Sequence, residues 1–232
     1  MRERPILFSG LMIRALLDGR KAVTRRLLKP QPAPNAPHDG GTTWVYRSKD
    51  GLHVPCGTVG HLTVAEKMGL RCPYGQPGDR LWVKETWRPE ASSMGHRIGW
   101  KLTYAADDAV LFSDLARVDA SWRCPKAAKN GNVTPLFMPR WASRLTLDVA
   151  AVRVERLHDI TEEDSRAEGV QRLLEANGWR NYEPEPAFES VSYHLTARES
   201  FASLWRSING PESWDANPWV WRVEFRRVEA VS

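Results

Sequence analysis

Gly19-Arg20-Lys21-Ala22-Val23-Thr24-Arg25-Arg26 follows directly on the run Leu11-Met12-Ile13-Arg14-Ala15-Leu16-Leu17-Asp18. Met12, Ile13, Leu16 and Leu17 fall on one face at helical spacing, so Gly10 to Asp18 reads as a helix. Gly19 then suits the C′ position, where a left-handed backbone is wanted. Beyond it, four cations and one hydroxyl crowd a few residues. Cations this dense repel one another and are tolerated best opposite an anion, either a phosphate or an acidic side chain. A lysine three residues before a threonine also offers a nucleophile with a base beside it. In a flat strand, residues three apart point to opposite faces. The expectation is therefore a turn at Ala22-Val23; a regular strand through these residues separates Lys21 from Thr24.

The positive charge is local. Residues 1–30 hold eight cations and two anions, a net +6, while the whole chain is at +5, leaving the remainder at −1. A basic N-terminal region on a neutral body points to a localised anionic partner, against the alternative of a solvated basic arm. The 232 residues suit one elaborated domain or two small ones. No apolar run approaches the ~20 residues needed to span a bilayer. Met1-Arg2-Glu3-Arg4-Pro5 leads into only a short apolar stretch, unlike a signal peptide. Three cysteines without framework spacing fit a reducing compartment, so the expected location is the cytoplasm, with no membrane partner.

Further along, Pro5 to Phe8 reads as a short strand. Prolines and glycines over 29–61 mark a loop insertion with a short strand at Trp44-Val45-Tyr46. Pro77-Gly78-Asp79 is a turn signal before a strand at Arg80 to Glu85. Residues 88–135 read as a second insertion, holding a strand at Trp100 to Tyr104 and a polar loop from Lys126 to Gly131. Leu145 to Val149 and Val152 to Leu157 read as two strands. Thr161 with Asp164 resembles a capping box for a helix ending near Gly169. Val170 to Asn177 reads as a second helical piece, and Thr196 to Ser207 as a third, with Phe201, Leu204, Trp205 and Ile208 on one face. Trp219 to Phe225 alternates as a closing strand. Strands without a βαβ rhythm argue for an α+β barrel or open sheet.

These residues, in this order, resemble a known family. Gly19-x-Lys21-x-x-Thr24-x-Arg26 after a helix, then Pro77-Gly78-Asp79 and a strand, then Leu157-x-x-Ile160-Thr161-Glu162-Glu163-x-x-x-x-Glu168-Gly169, a helix and a terminal strand, is similar to the ASCH domain. The likeness covers roughly residues 4–30, 75–88 and 138–228 and is nearest to the larger ASCH-type proteins of bacteriophages and prophages. It implies a single α+β domain over 1–232, a PUA-like mixed β-barrel with short helices, carrying loop-rich insertions at about 31–74 and 89–137. The ASCH pattern often has an acidic residue where this chain has Thr24. Threonine there resembles the small bacterial enzymes that remove the acetyl group from N4-acetylcytidine. By that motif the catalytic group falls on Lys21, Thr24 and Glu168. Other members of the family are described as RNA-binding or ribonuclease proteins. The implied partner is a nucleoside, RNA or DNA, with no cofactor.

Cleaving an amide on a cytosine ring needs a nucleophile that loses a proton and a donor for the oxyanion. Thr24 could attack if Lys21 were neutral, which requires its pKa to fall from ~10.4 through burial or through Arg20, Arg25 and Arg26. Glu168 could instead take the proton, or orient Lys21. The same residues could also be an ion-pair cluster tying the helix exit to the helix after Thr161. For nucleic-acid binding, Arg20, Arg25, Arg26 and Lys29 would contact phosphates, with Arg140 and Arg144 as a second basic pair. Trp87, Trp141 or Trp219 would stack on a base, Trp141 being the least core-like. Glu85, ending a strand, is the other acid expected near the cavity. His53, Cys56, His61 and Cys72 are of zinc-ligand type, but their spacing matches no standard finger.

Overall fold

The computed structural model describes residues 1–31, 33–34, 44–47, 53–55, 71–94, 97–184 and 193–228. Its strands are β1 (Glu3–Leu7), β2 (Val23–Leu27), β3 (Ala33–Pro34), β4 (Trp44–Arg47), β5 (His53–Pro55), β6 (Arg80–Lys84), β7 (Trp87–Met94), β8 (Arg97–Tyr104), β9 (Val110–Asp114), β10 (Thr146–Arg156), β11 (Arg172–Leu173), β12 (Gly178–Arg180), β13 (Tyr193–His194) and β14 (Trp219–Val228). Helices span Gly10–Leu17, Glu162–Ala167 and Ala197–Asn209. The chain is mixed α+β, mostly sheet with few helices. No helix among the described residues is long and apolar enough to cross a membrane.

A five-stranded sheet in the order β1-β6-β10-β14-β2 carries the main core. β1 runs parallel to β6, and the other pairs are antiparallel. The segment before β6 sets the parallel register. Gly75 and Gly78 take positive φ, and the Asp79 carboxylate turned inward by them accepts from the Arg2 backbone N–H at 2.8 Å. β1 and β2 are neighbours in sequence but lie on opposite edges of the sheet. The helix Gly10–Leu17 joins them, burying Met12, Ile13, Ala15 and Leu16. Each large apolar side chain so buried contributes about 1.5–3 kcal/mol. The edges approach where Arg26 Nη2 donates to the Leu7 carbonyl at 2.6 Å.

β10 is one strand where two short ones are expected. Its register with β14 shifts between Val149 and Ala151, and this irregularity interrupts the alternation without ending the strand. Thr161 caps the helix Glu162–Ala167 through the Asp164 N–H, but the capping box is only half made, because the Asp164 carboxylate turns to arginines. Thr196 and Glu199 form the full box on the Ala197–Asn209 helix. Phe201, Leu204 and Trp205 face its core, while Ile208 is exposed. The helix expected over Val170 to Asn177 is absent. Asn177 takes φ +48° before Gly178, and the segment becomes the β11–β12 hairpin. The signal was the Asn-Gly pair, which favours a hairpin turn over a helix.

The second insertion is more ordered than a loop. β7, β8 and β9 form a meander over their own core of Trp87, Leu102, Tyr104, Val133, Met138 and Ala142. Arg144 roots it to the main sheet. Its guanidinium holds buried Glu85 through two bonds of 2.8 Å, reaches Asp107 at 2.8 and 2.9 Å, and lies 4.2 Å from the Tyr104 ring centroid.

Candidate functional site

The segment that leaves the first helix docks on the end of the helix Glu162–Ala167. Gly19 takes φ +72°, turning the chain. Ala22 N–H then donates to the Ala167 carbonyl (2.9 Å), Lys21 Nζ to the Glu168 carbonyl (2.7 Å) and Arg20 Nη1 to the Gly169 carbonyl (2.8 Å). Carbonyls left open at a helix C-terminus thus receive donors, two of them cationic, from three consecutive residues. Gly169 permits this approach. It has φ +90°, and an added Cβ would sit 2.8 Å from Ala15 Cβ and 2.9 Å from Lys21 Cβ.

Lys21 is buried and its ammonium is saturated. Besides the Glu168 carbonyl it donates to the Val23 carbonyl (2.8 Å) and to Glu168 Oε2 (2.8 Å). Burial is the largest influence on it and draws its pKa below the ordinary lysine value, Glu168 acting in the opposite sense and Arg26 and Arg25 adding to the lowering. The expected turn at Ala22-Val23 is not formed. β2 begins at Val23, and Lys21 lies in the irregular backbone before it. Ala22 is held instead by the Ala167 carbonyl, which draws the chain straight into the strand. Lys21 and Glu168 come together; Thr24 is near Lys21 in sequence, but Lys21 spends its hydrogen bonds elsewhere.

Thr24 and Arg26 share a face of β2, paired in register with Val223 and Trp221 of β14. Thr24 is 4% exposed, and among the described residues its hydroxyl makes no hydrogen bond. Arg26 lies with its guanidinium carbon 5.2 Å from the Phe8 ring centroid and 5.9 Å from that of Tyr74, its Nε buried without a partner. Lys21 Nζ stands 5.5 Å from the same Phe8 ring.

The opposite face of β2 differs from expectation. Arg25 does not face a phosphate: its side chain is fully buried among Glu155, Asp164 and Glu168, at 2.7, 2.7 and 3.2 Å. Three carboxylates already neutralise it. Asp164 also holds Arg222, and the charge and hydrogen bonds of Arg222 and Arg25 outweigh its burial, keeping its pKa below the usual value. Glu155 and Asp164 were missed as site residues. The alternation Arg153-Val154-Glu155 against Arg222-Val223-Glu224 placed charges on one face and was the signal for Glu155.

The remaining candidates scatter. Arg20 is partly exposed and paired with Asp18, and Lys29 is exposed. Arg140 is exposed but bonded to Glu3 at 2.8 Å. Arg144 is consumed by Glu85 and Asp107, so neither it nor Glu85 is a ligand contact at Lys21. Trp141 stands edge-on to Trp87 and Trp122, a packing role rather than an open stacking face. Trp87 and Trp219 are buried. Of the zinc-type residues, Cys56 and His61 lie outside the described residues, as does the His53 side chain. Cys72 is buried and its thiol is pushed up to about 11 by burial. No group of metal-binding type gathers among the described residues.

No protein-family model, curated protein or solved structure matches this chain.

Proposed function

We propose that the chain is an ASCH-type protein on a PUA-like barrel that binds an N4-acylated cytidine and hydrolyses its amide with Lys21, Thr24 and Glu168. The observation that carries this reading is the buried Lys21–Glu168 pair, with Thr24, a residue 4% exposed whose hydroxyl has no hydrogen bond among the described residues, three positions along the chain from Lys21. The Arg26–Leu7 bridge between the two sheet edges supports closure of the barrel.

In this scheme Lys21 first gives up its proton, which its burial favours. Neutral Lys21 Nζ then leaves the Val23 carbonyl and turns to Thr24, whose Oγ1 attacks the amide carbonyl carbon and passes its proton to Nζ. Arg26 faces the developing oxyanion. As the C–N bond breaks, Lys21 returns the proton to the cytosine amine. Water then attacks the acyl-threonine ester, releasing the carboxylic acid and restoring Thr24. Glu168 orients Lys21 throughout. A single nucleoside fits better than a long nucleic acid, because Arg25, Arg140 and Arg144 are committed to carboxylates.

The test is incubation with N4-acetylcytidine followed by chromatography. Cytidine should accumulate with the parent protein and fail to do so with Thr24→Ala and Lys21→Ala, both checked for folding by circular dichroism. No cytidine from the parent, or undiminished turnover in both variants, rejects the reading. A gel shift on RNA that weakens steeply with salt, without turnover, would point to a reader instead.

A further inference from the structure

The face of the sheet that carries Arg25 holds a charge array that the proposed reaction does not use directly. Arg153, Arg222 and Arg25 stand side by side in register across β10, β14 and β2. Like charges directly opposite one another are destabilising. Here carboxylates interleave them: Glu155 between Arg153 and Arg25 (2.7 Å to each), Asp164 between Arg25 and Arg222 (2.7 and 2.8 Å), and Glu224 beside Arg222 (2.9 Å). The array ends at Glu168. One of its oxygens takes Arg25 Nη1 at 3.2 Å; the other takes Lys21 Nζ at 2.8 Å.

We infer that Arg25 is a positioning residue that acts on Lys21 through Glu168 and sets the pH at which Lys21 gives up its proton. The inference rests on the reading of Lys21 as the base. If Glu168 had Lys21 as its sole cation, deprotonating Lys21 would strand a buried carboxylate, a costly state, and the proton would be held to higher pH. Arg25 removes that obstacle, because it still faces Glu168 after Lys21 turns neutral. Its own charge also repels the ammonium. Glu155 and Asp164 moderate Arg25 by sharing its fork, so they act on Lys21 at one remove. The other groups around Lys21 are Arg26 on β2, with Tyr74 beyond it, Phe8 after β1, Ala15 of the first helix and Arg20 at the helix exit.

The experiment is a pH titration of Lys21 by NMR of labelled lysine side chains, the signal assigned by its loss in Lys21→Met. In the double variant Arg25→Gln/Glu155→Gln no carboxylate is stranded at position 155, and Asp164 keeps Arg222. The Lys21 midpoint should rise by about 1 pH unit or more. In Glu155→Gln alone, Arg25 gives more of its charge to Glu168, and the midpoint should fall. The alkaline-going limb of N4-acetylcytidine turnover should move with each. A midpoint unchanged in Glu155→Gln overturns the inference even where the double variant does not fold; so does an unchanged or lowered midpoint in a folded double variant. Absence of turnover in the parent rejects the base assignment alone, and the two shifts still decide whether Arg25 governs Lys21.

Discussion

Replacing Gly169 by alanine should loosen the candidate site more than any comparable change in a loop. Two costs combine. The backbone sits at φ +90°, where a side chain costs about 1–2 kcal/mol. The new methyl would also lie 2.8 Å from Ala15 Cβ and 2.9 Å from Lys21 Cβ, both well inside contact distance. Neither neighbour is the far end of a flexible chain, so backbone must move, and overpacking of this kind costs about 1–3 kcal/mol. The sum is about 2–5 kcal/mol. Gly19→Ala is the control: its φ is +72°, but nothing lies within 4 Å of the added methyl, so only the first cost applies. Thermal unfolding followed by circular dichroism and tryptophan fluorescence reads both. At about 2–4 °C per kcal/mol for a chain of this size, Gly169→Ala should lower Tm by roughly 4–20 °C and Gly19→Ala by roughly 2–8 °C. Equal losses in the two variants would refute the claim that close packing of Lys21 on Gly169 builds the site.

Four further outcomes follow from the ion pairs and the thiol. Asp164 is held below its unfolded pKa, so the stability it contributes is present above ~4 and is lost as pH falls through the lower folded value; urea midpoints of Asp164→Asn should converge on those of the parent at the acid end. Lys21 is displaced the other way for a base: its folded pKa lies below its unfolded one, so its contribution should become more favourable as pH rises toward ~10.4, a trend missing from Lys21→Met. Arg144→Leu leaves Glu85, 1% exposed, without its cation and should cost about 3–5 kcal/mol in urea unfolding, with Glu85→Gln/Arg144→Leu recovering a large part. Cys72, with its thiol near 11, should resist iodoacetamide at pH 8 until urea unfolds the protein, as peptide mapping would show.

Much of the fold was legible where local chemistry acts alone. Gly19 ended the first helix and Thr161 opened the second, because caps satisfy backbone groups from nearby side chains, and the apolar face of Phe201, Leu204 and Trp205 marked the third. The β11–β12 hairpin was read as a helix although an Asn-Gly pair ends the segment. Of the β7 to β9 meander only the strand at Trp100 to Tyr104 was read, because its core draws on Val133 and Met138, distant in sequence from Trp87. At the site, Lys21 and Glu168 were found through a motif, while Glu155 and Asp164 were not. Nothing local says that Arg25 turns away from solvent, since its burial depends on β10 and a helix more than a hundred residues later. Dense positive charge pointed correctly to an opposing anion; the anion proved to be the protein's own carboxylates for Arg25.

The strand order has a bearing on how the polypeptide acquires its shape during synthesis. β2 is made early, yet its ladder partner is β14, with Thr24 opposite Val223. Until that late segment leaves the ribosome, the strand that carries Thr24, Arg25 and Arg26 has no ladder partner, although Glu155, Asp164 and Glu168 are made before it. Contacts so far apart in sequence form slowly. A ribosome stalled between Glu168 and β14 would therefore hold a molecule that possesses the charged residues of the site without the strand that sets β2 in place.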